Sequence, residues 1–116
     1  MLRNMTIVGA MIASPVAAAD WAPLDGAGVQ AALEEVTLVY DADNGGATQH
    51  FYASGRTLYD SGRPSWGYWA VRGDQYCSQW PPSDGWSCYD LERNATGDML
   101  RFVAGDGSSS IGEISE

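Results

Sequence analysis

From Val36 to Val103 the chain alternates with a period of two, β-branched and aromatic residues trading places with polar ones. Turn signals break the alternation at Asn44-Gly45, Ser54-Gly55, Gly73-Asp74, Pro81-Pro82 and Gly105-Asp106-Gly107. Such spacing describes an antiparallel strand series. Ahead of it, Asp25 is placed to cap a short helix over about 26–35, in which Val29, Ala32 and Leu33 recur at helical spacing before Glu34 and Glu35. The expected fold is therefore mainly β: an antiparallel meander curled into a small barrel or half-barrel, with one short N-terminal helix. The tail from Gly105, rich in Gly and Ser, is expected to be loose.

Turn chemistry also predicts a register. A two-residue Gly73-Asp74 turn sets Val71 against Tyr76, Ala70 against Cys77, Trp69 against Ser78 and Tyr68 against Gln79. A turn over Pro81 to Asp84 then brings Cys77 opposite Cys88, at a separation a disulfide can bridge. A turn over Asn94 to Gly97 pairs Leu91 with Leu100, Tyr89 with Phe102 and Asp90 with Arg101. An Asn44-Gly45 turn pairs Leu38 with Phe51 and Val36 with Ala53. One face then collects Trp69, Val71, Tyr76, Trp80, Tyr89, Leu91, Leu100 and Phe102 as the core. The other collects Arg72, Gln75, Asp90, Glu92, Arg101, the cysteines and the aromatics Trp66, Tyr68 and Trp86.

Residues 1–19 have the order of an export signal: Arg3 in a short polar start, an apolar run from Met5 to Ala13, and Ala17-Ala18-Ala19 before Asp20. The apolar run is about half the ~20 residues that a membrane span needs. Residues 20–116 are then a single β domain, expected in the periplasm or outside the cell. Two cysteines in an exported chain fit one disulfide, because a structural zinc needs about four ligands and His50 is the only imidazole. No metal or other cofactor is expected. The chain carries 15 acids against six basic residues, for a net charge of −9, which argues against nucleic acid and anionic lipid as partners.

Candidate chemistry is sparse. His50 is expected on the outer face beside Tyr59 and Val39, a surface histidine with no nucleophile set out for it, and no catalytic residue is assigned. Asp90 and Glu92 share a face with Arg72 and Arg101 and fit an ion-paired surface better than an acid/base pair. Asp41, Asp43, Asn44, Gly45 and Gly46 match the opening of a calcium loop, but Tyr52 stands where the closing Glu belongs, and Asn-Gly is a hairpin signal. Asn94-Ala95-Thr96 reads as a turn more than as a glycosylation acceptor. What stands out is aromatic content, with five Trp and six Tyr. Trp66, Tyr68 and Trp86 fall outside the core, with Tyr68, Gln79 and Trp86 on one rung, and form the candidate binding patch.

The run Gly67-Tyr68-Trp69-Ala70-Val71, Asp74-Gln75-Tyr76-Cys77, Trp80, Cys88-Tyr89 and Arg101-Phe102-Val103 resembles small exported proteobacterial domains of unknown function. Ala31-Ala32-Leu33, Thr37-Leu38-Val39-Tyr40 and Phe51-Tyr52-Ala53-Ser54-Gly55-Arg56-Thr57 extend the likeness over nearly all of 20–116, with a departure at Ser54 and Arg56. The resemblance implies an exported β domain with a single disulfide, and no catalytic residues. The expected function is a binding or interaction module of the cell envelope with a protein or saccharide partner, and not an enzyme. The alternatives are an inhibitor of an exported enzyme, presenting a protruding segment such as Trp21 to Leu24, and a small hydrolase.

Overall fold

A computed structural model describes residues 20–41 and 46–115; the expected export signal and the expected Asn44-Gly45 turn lie outside the described residues. Asp25 caps the helix α1 (Gly26–Leu33), its carboxylate accepting from Gly28 N at 2.8 Å. The helix stops two residues short of the expected end, because Glu35 takes a positive φ of 60° and donates its backbone N–H to Phe51 O.

Nine strands follow the turn signals: β1 (Trp21–Pro23), β2 (Val36–Tyr40), β3 (Ala47–Phe51), β4 (Arg56–Asp60), β5 (Pro64–Arg72), β6 (Gln75–Gln79), β7 (Trp86–Asn94), β8 (Met99–Val103) and β9 (Ser109–Ile114). Strands β2 to β9 close an eight-stranded antiparallel barrel, through β2–β9, β8–β9 and β7–β8 pairings. β1 is the extra strand. It lies along Glu92, Arg93 and Asn94, the stretch of β7 that extends past β6.

The central register is the expected one. Tyr68 pairs Gln79, Val71 pairs Tyr76, and Cys77 pairs Cys88, which form the disulfide. Two hairpins differ by two residues. β2 and β3 pair Val36 with Phe51 and Leu38 with Gln49, because the ladder ends at Tyr40–Ala47 and residues 41–46 make the connection. β7 and β8 pair Leu91 with Phe102 and Glu92 with Arg101. Here the Asn94 carboxamide organises a longer loop, accepting from Gly97 N and Met99 N and donating to Thr96 and Asp98. Arg101 therefore pairs with Glu92 at 2.7 Å, and Asp90 accepts from the Gln75 amide instead. A shift of two keeps each side chain on its face, so the expected core survives both. Val71, Trp80 and Tyr89 face inward but are only half-buried.

A shift of one residue changes more. Ala53, Ser54 and Gly55 make a three-residue connection, with Gly55 at φ 95° and Tyr52 N bonded to Arg56 O. Phe51 thus pairs Thr57, and Gln49 pairs Tyr59. Tyr59 accordingly turns inward, away from His50, whose cross-strand neighbours are Thr37 and Leu58 in place of Val39 and Tyr59. The tail is a second correction. Residues 109–114 form β9 between β2 and β8, so the segment expected to be loose seals the barrel.

The core has one closed end. Val29, Ala32 and Leu33 of α1 pack with Leu38, Phe51, Trp69, Leu91 and Leu100, all at most 5% exposed. Asp74 accepts from Gly26 N and Leu24 N donates to Leu91 O, pinning the helix across the end that carries the 52–55 and 73–74 turns. Strands alternate in direction, so the 61–63, 80–85 and 104–108 connections crowd the opposite end.

Candidate functional site

That opposite end holds a cavity of about 800 Å³, within the range of small-molecule sites. Tyr40 (β2), Gln49 (β3), Tyr59 (β4), Ser65 (β5), Tyr76 and Ser78 (β6), Trp80, Tyr89 (β7) and Phe102 (β8) line it, with Asp41, Ser110 and Ile111 also contributing. The rings form a belt. Trp80 meets Tyr59 edge-on at 6.3 Å, Tyr59 meets Tyr40 at 6.2 Å, Tyr40 meets Phe102 at 6.3 Å, Phe102 meets Tyr76 at 5.1 Å, and Tyr76 meets Tyr89 at 6.1 Å.

Two glycines on inward positions make this belt possible. A Cβ on Gly67 would meet the Trp80 ring at 2.6 Å, and one on Gly112 would meet Tyr40 Cε1 at 3.0 Å. Their absence lets Trp80 and Tyr40 lie against the strands and leaves the centre open.

A polar network lies under the belt. Tyr40 Oη donates to Gln49 Oε1 at 2.7 Å, and Gln49 Nε2 donates to Thr57 Oγ1 at 2.9 Å and to Tyr76 Oη at 3.4 Å. Trp80 Nε1 reaches Ser78 Oγ at 3.2 Å. Burial pushes the Tyr40 phenol far above its ordinary pKa, and burial likewise raises that of Tyr76. Both hydroxyls therefore stay neutral at physiological pH. The Tyr59 and Tyr89 hydroxyls make no hydrogen bond among the described residues and are open to an incoming group. Apart from Asp41, every lining residue is uncharged, so an anion within the walls would lack a charged partner.

The sequence-derived patch lies elsewhere, on the outside of the barrel. Tyr68, Gln79 and Trp86 do share a rung, and Trp66 stands near it on β5. Trp66 and Tyr68 are 45% and 44% exposed, whereas Trp86 is half-buried beneath the Arg72 guanidinium, 4.4 Å from the ring. None of the four reaches the cavity. Sequence reasoning missed Tyr40, Gln49 and Tyr59. Glycine inside strand stretches, at 67 and 112, was the available signal of a close approach.

His50 is more engaged than a surface histidine. Its Nδ1 lies 2.7 Å from Thr37 Oγ1, its Nε2 lies 3.3 Å from Glu35 Oε1, and its ring packs on Tyr52 at 4.4 Å. Hydroxyl, imidazole and carboxylate form a chain, yet it runs over the outside of the sheet, apart from the cavity. The other Glu35 oxygen accepts from Ala53 N at 2.6 Å, so the chain ties the helix end to the β3–β4 turn.

That backbone bond, with His50 second, holds the Glu35 carboxyl below its ordinary pKa. A depressed carboxylate contributes stability that is complete above the unfolded-state value and is lost as pH falls through the folded one. Asp98 and Asp106, each held down by side-chain bonds first, act in the same direction. The melting temperature is therefore expected to fall on acidification below about pH 4, and Glu35→Gln to flatten part of that fall. Circular dichroism melts from neutral to acid pH test this; an unchanged acid limb in the variant would remove Glu35 from the account.

The inhibitor alternative loses its structural element. Trp21 to Leu24 does not protrude: β1 pairs with β7, Leu24 packs on the core, and Trp21 stacks against Arg101 at 4.7 Å. No group of three or more His, Cys, Asp or Glu able to hold a metal ion occurs among the described residues, and the calcium-like stretch falls largely outside them. No helix among the described residues is long and apolar enough to cross a membrane.

Fold and site together define a class: a small closed β-barrel with a helix across its base and an aromatic belt around its mouth. Comparison with protein-family models, curated proteins and solved structures finds no match to this chain.

Proposed function

We propose that the chain is an exported binding module that takes a small, uncharged, ring-bearing molecule into the mouth of its barrel. The observation that carries this reading is the cavity of about 800 Å³, walled by five aromatic strand residues and Trp80 above a satisfied polar floor. Flat rings admit a ring between them. The unengaged Tyr59 and Tyr89 hydroxyls give orientation, since a ligand group that bonds them gains specificity at little cost. Binding in place of catalysis is supported by the chemistry of the walls, which offer phenols, hydroxyls and one amide in place of an acid/base pair. Export is supported by the pattern of residues 1–19, by the disulfide and by the resemblance to exported domains.

The test is amide NMR of the oxidised protein titrated with neutral aryl alcohols, aryl glycosides and cyclic dipeptides. Shifts are expected to cluster at Tyr59, Ser78, Trp80 and Tyr89. The double variant Tyr59→Phe and Tyr89→Phe removes the two unengaged hydroxyls and leaves the rings in place, and is expected to weaken binding at least about tenfold. Shifts confined to the outer face, or equal affinity in the double variant, would remove the cavity as the site.

A further inference from the structure

We infer that the outer face of β4 to β7 is a second binding surface, independent of the cavity, that docks an acidic polysaccharide chain laid across the strands. Charge is the first observation. Five arginines occur among the described residues, and only Arg101 lies within ion-pair distance of a carboxylate, that of Glu92; Arg93 instead donates to Gly97 O. Two of the remaining three, Arg56 and Arg72, are exposed together on this one face. Asp90, which shares a rung with Arg72, is bonded to Gln75.

Ring geometry is the second observation. Arg56 lies 4.5 Å over Trp66 and Arg72 lies 4.4 Å over Trp86. Neither guanidinium donates a hydrogen bond among the described residues, so its N–H groups remain available to grip a carboxylate with two bonds. Stacking against the indole also immobilises each side chain before any ligand arrives, which lowers the ordering cost of binding. Tyr68 is 44% exposed with no ring partner among the described residues, and Gln79 stands beside it on the same rung with an amide for a hydroxyl. A sugar ring for Tyr68 together with carboxylates for the arginines describes a uronic-acid polymer. An acidic peptide supplies only the carboxylates. Elsewhere the acidic surface repels a polyanion, which confines it to this strip.

The experiment is affinity electrophoresis and calorimetry of the oxidised full chain with polygalacturonate, its methyl ester and polyglutamate. Polygalacturonate is expected to bind, to weaken as salt is raised, and to exceed both the ester and polyglutamate by at least about tenfold. The double variant Arg56→Gln and Arg72→Gln is expected to lose at least that factor while keeping the circular dichroism spectrum of the folded protein, its melting temperature lowered only by the loss of two ring stacks. The double variant Tyr59→Phe and Tyr89→Phe, which removes two hydroxyls from the cavity wall only, is expected to bind the polymer as the parent does, separating this surface from the mouth. Absence of binding, equal binding of the neutral ester, or equal binding of polyglutamate would overturn the proposal, the last in favour of an acidic peptide.

Discussion

Trp69→Ala is expected to lower the unfolding free energy by about 3–5 kcal/mol, the usual cost of emptying a large buried aromatic site. Trp69 is 5% exposed, meets Phe51 edge-on at 5.7 Å, and donates its indole N–H to Tyr52 O at 2.8 Å. Alanine removes the packing and one of the two donors to that carbonyl, Gly55 N remaining. Trp86→Ala offers the contrast. Trp86 stands on the outer face and its recorded ring contact is the Arg72 stack, worth about 0.5–1 kcal/mol. Chemical denaturation of both variants measures the difference. Equal losses would overturn the assignment of faces along β5 to β7.

Opening the disulfide is expected to cost about 3 kcal/mol, from the entropy returned to an unfolded chain that is no longer closed across 11 residues. The barrel should still fold. Cys77 and Cys88 face each other in a ladder between β6 and β7, so the bridge reinforces a register already chosen by the connection from Trp80 to Gly85. Cys77 is fully buried although it sits on the outer face. Arg72 and Trp86 stand on rungs either side of its own, and their stack passes over the bridge. Reduction should therefore be slow in the native protein and become fast with Trp86→Ala. Denaturation with and without reductant measures the first effect, and thiol titration over time measures the second. A loss well under 1 kcal/mol, or equal reduction rates, would contradict this account.

Much of the barrel was legible because short turns carry their geometry in two to four residues. Gly73-Asp74 and the prolines after Trp80 fix which residues oppose each other, and the cysteines then meet with no further information. Asp25 announces the helix for the same local reason. The β7–β8 register was misjudged by two residues, since side-chain bonding inside the 94–98 loop, above all that of Asn94, sets its length and is not visible as a turn pair; the β2–β3 register also differs by two. The face of β4 was harder still. Arg56-Thr57-Leu58-Tyr59-Asp60 has an apolar residue on each parity, Leu58 on one and Tyr59 on the other, so alternation alone does not choose between them. The three-residue connection at Ala53 to Gly55 chooses, and it places Tyr59 inside.

The outer strip needed only the local register of β5 to β7, and for that reason Tyr68, Gln79 and Trp86 could be set on one rung from the sequence. The cavity is of another kind. It joins Tyr40 to Phe102 and Gln49 to Tyr76, residues brought together by closure of the sheet through β9, whose Ser-Ser-Ile-Gly-Glu-Ile stretch shows an exposed Ile111 and an inward Gly112, the reverse of a strand's usual pattern. Alternation reports which residues turn away from water, a property of each strand alone. Whether the space they enclose is filled or open depends on the sum of side-chain volumes around a closed ring. Here two inward glycines and the helix at one end leave that sum short at the other.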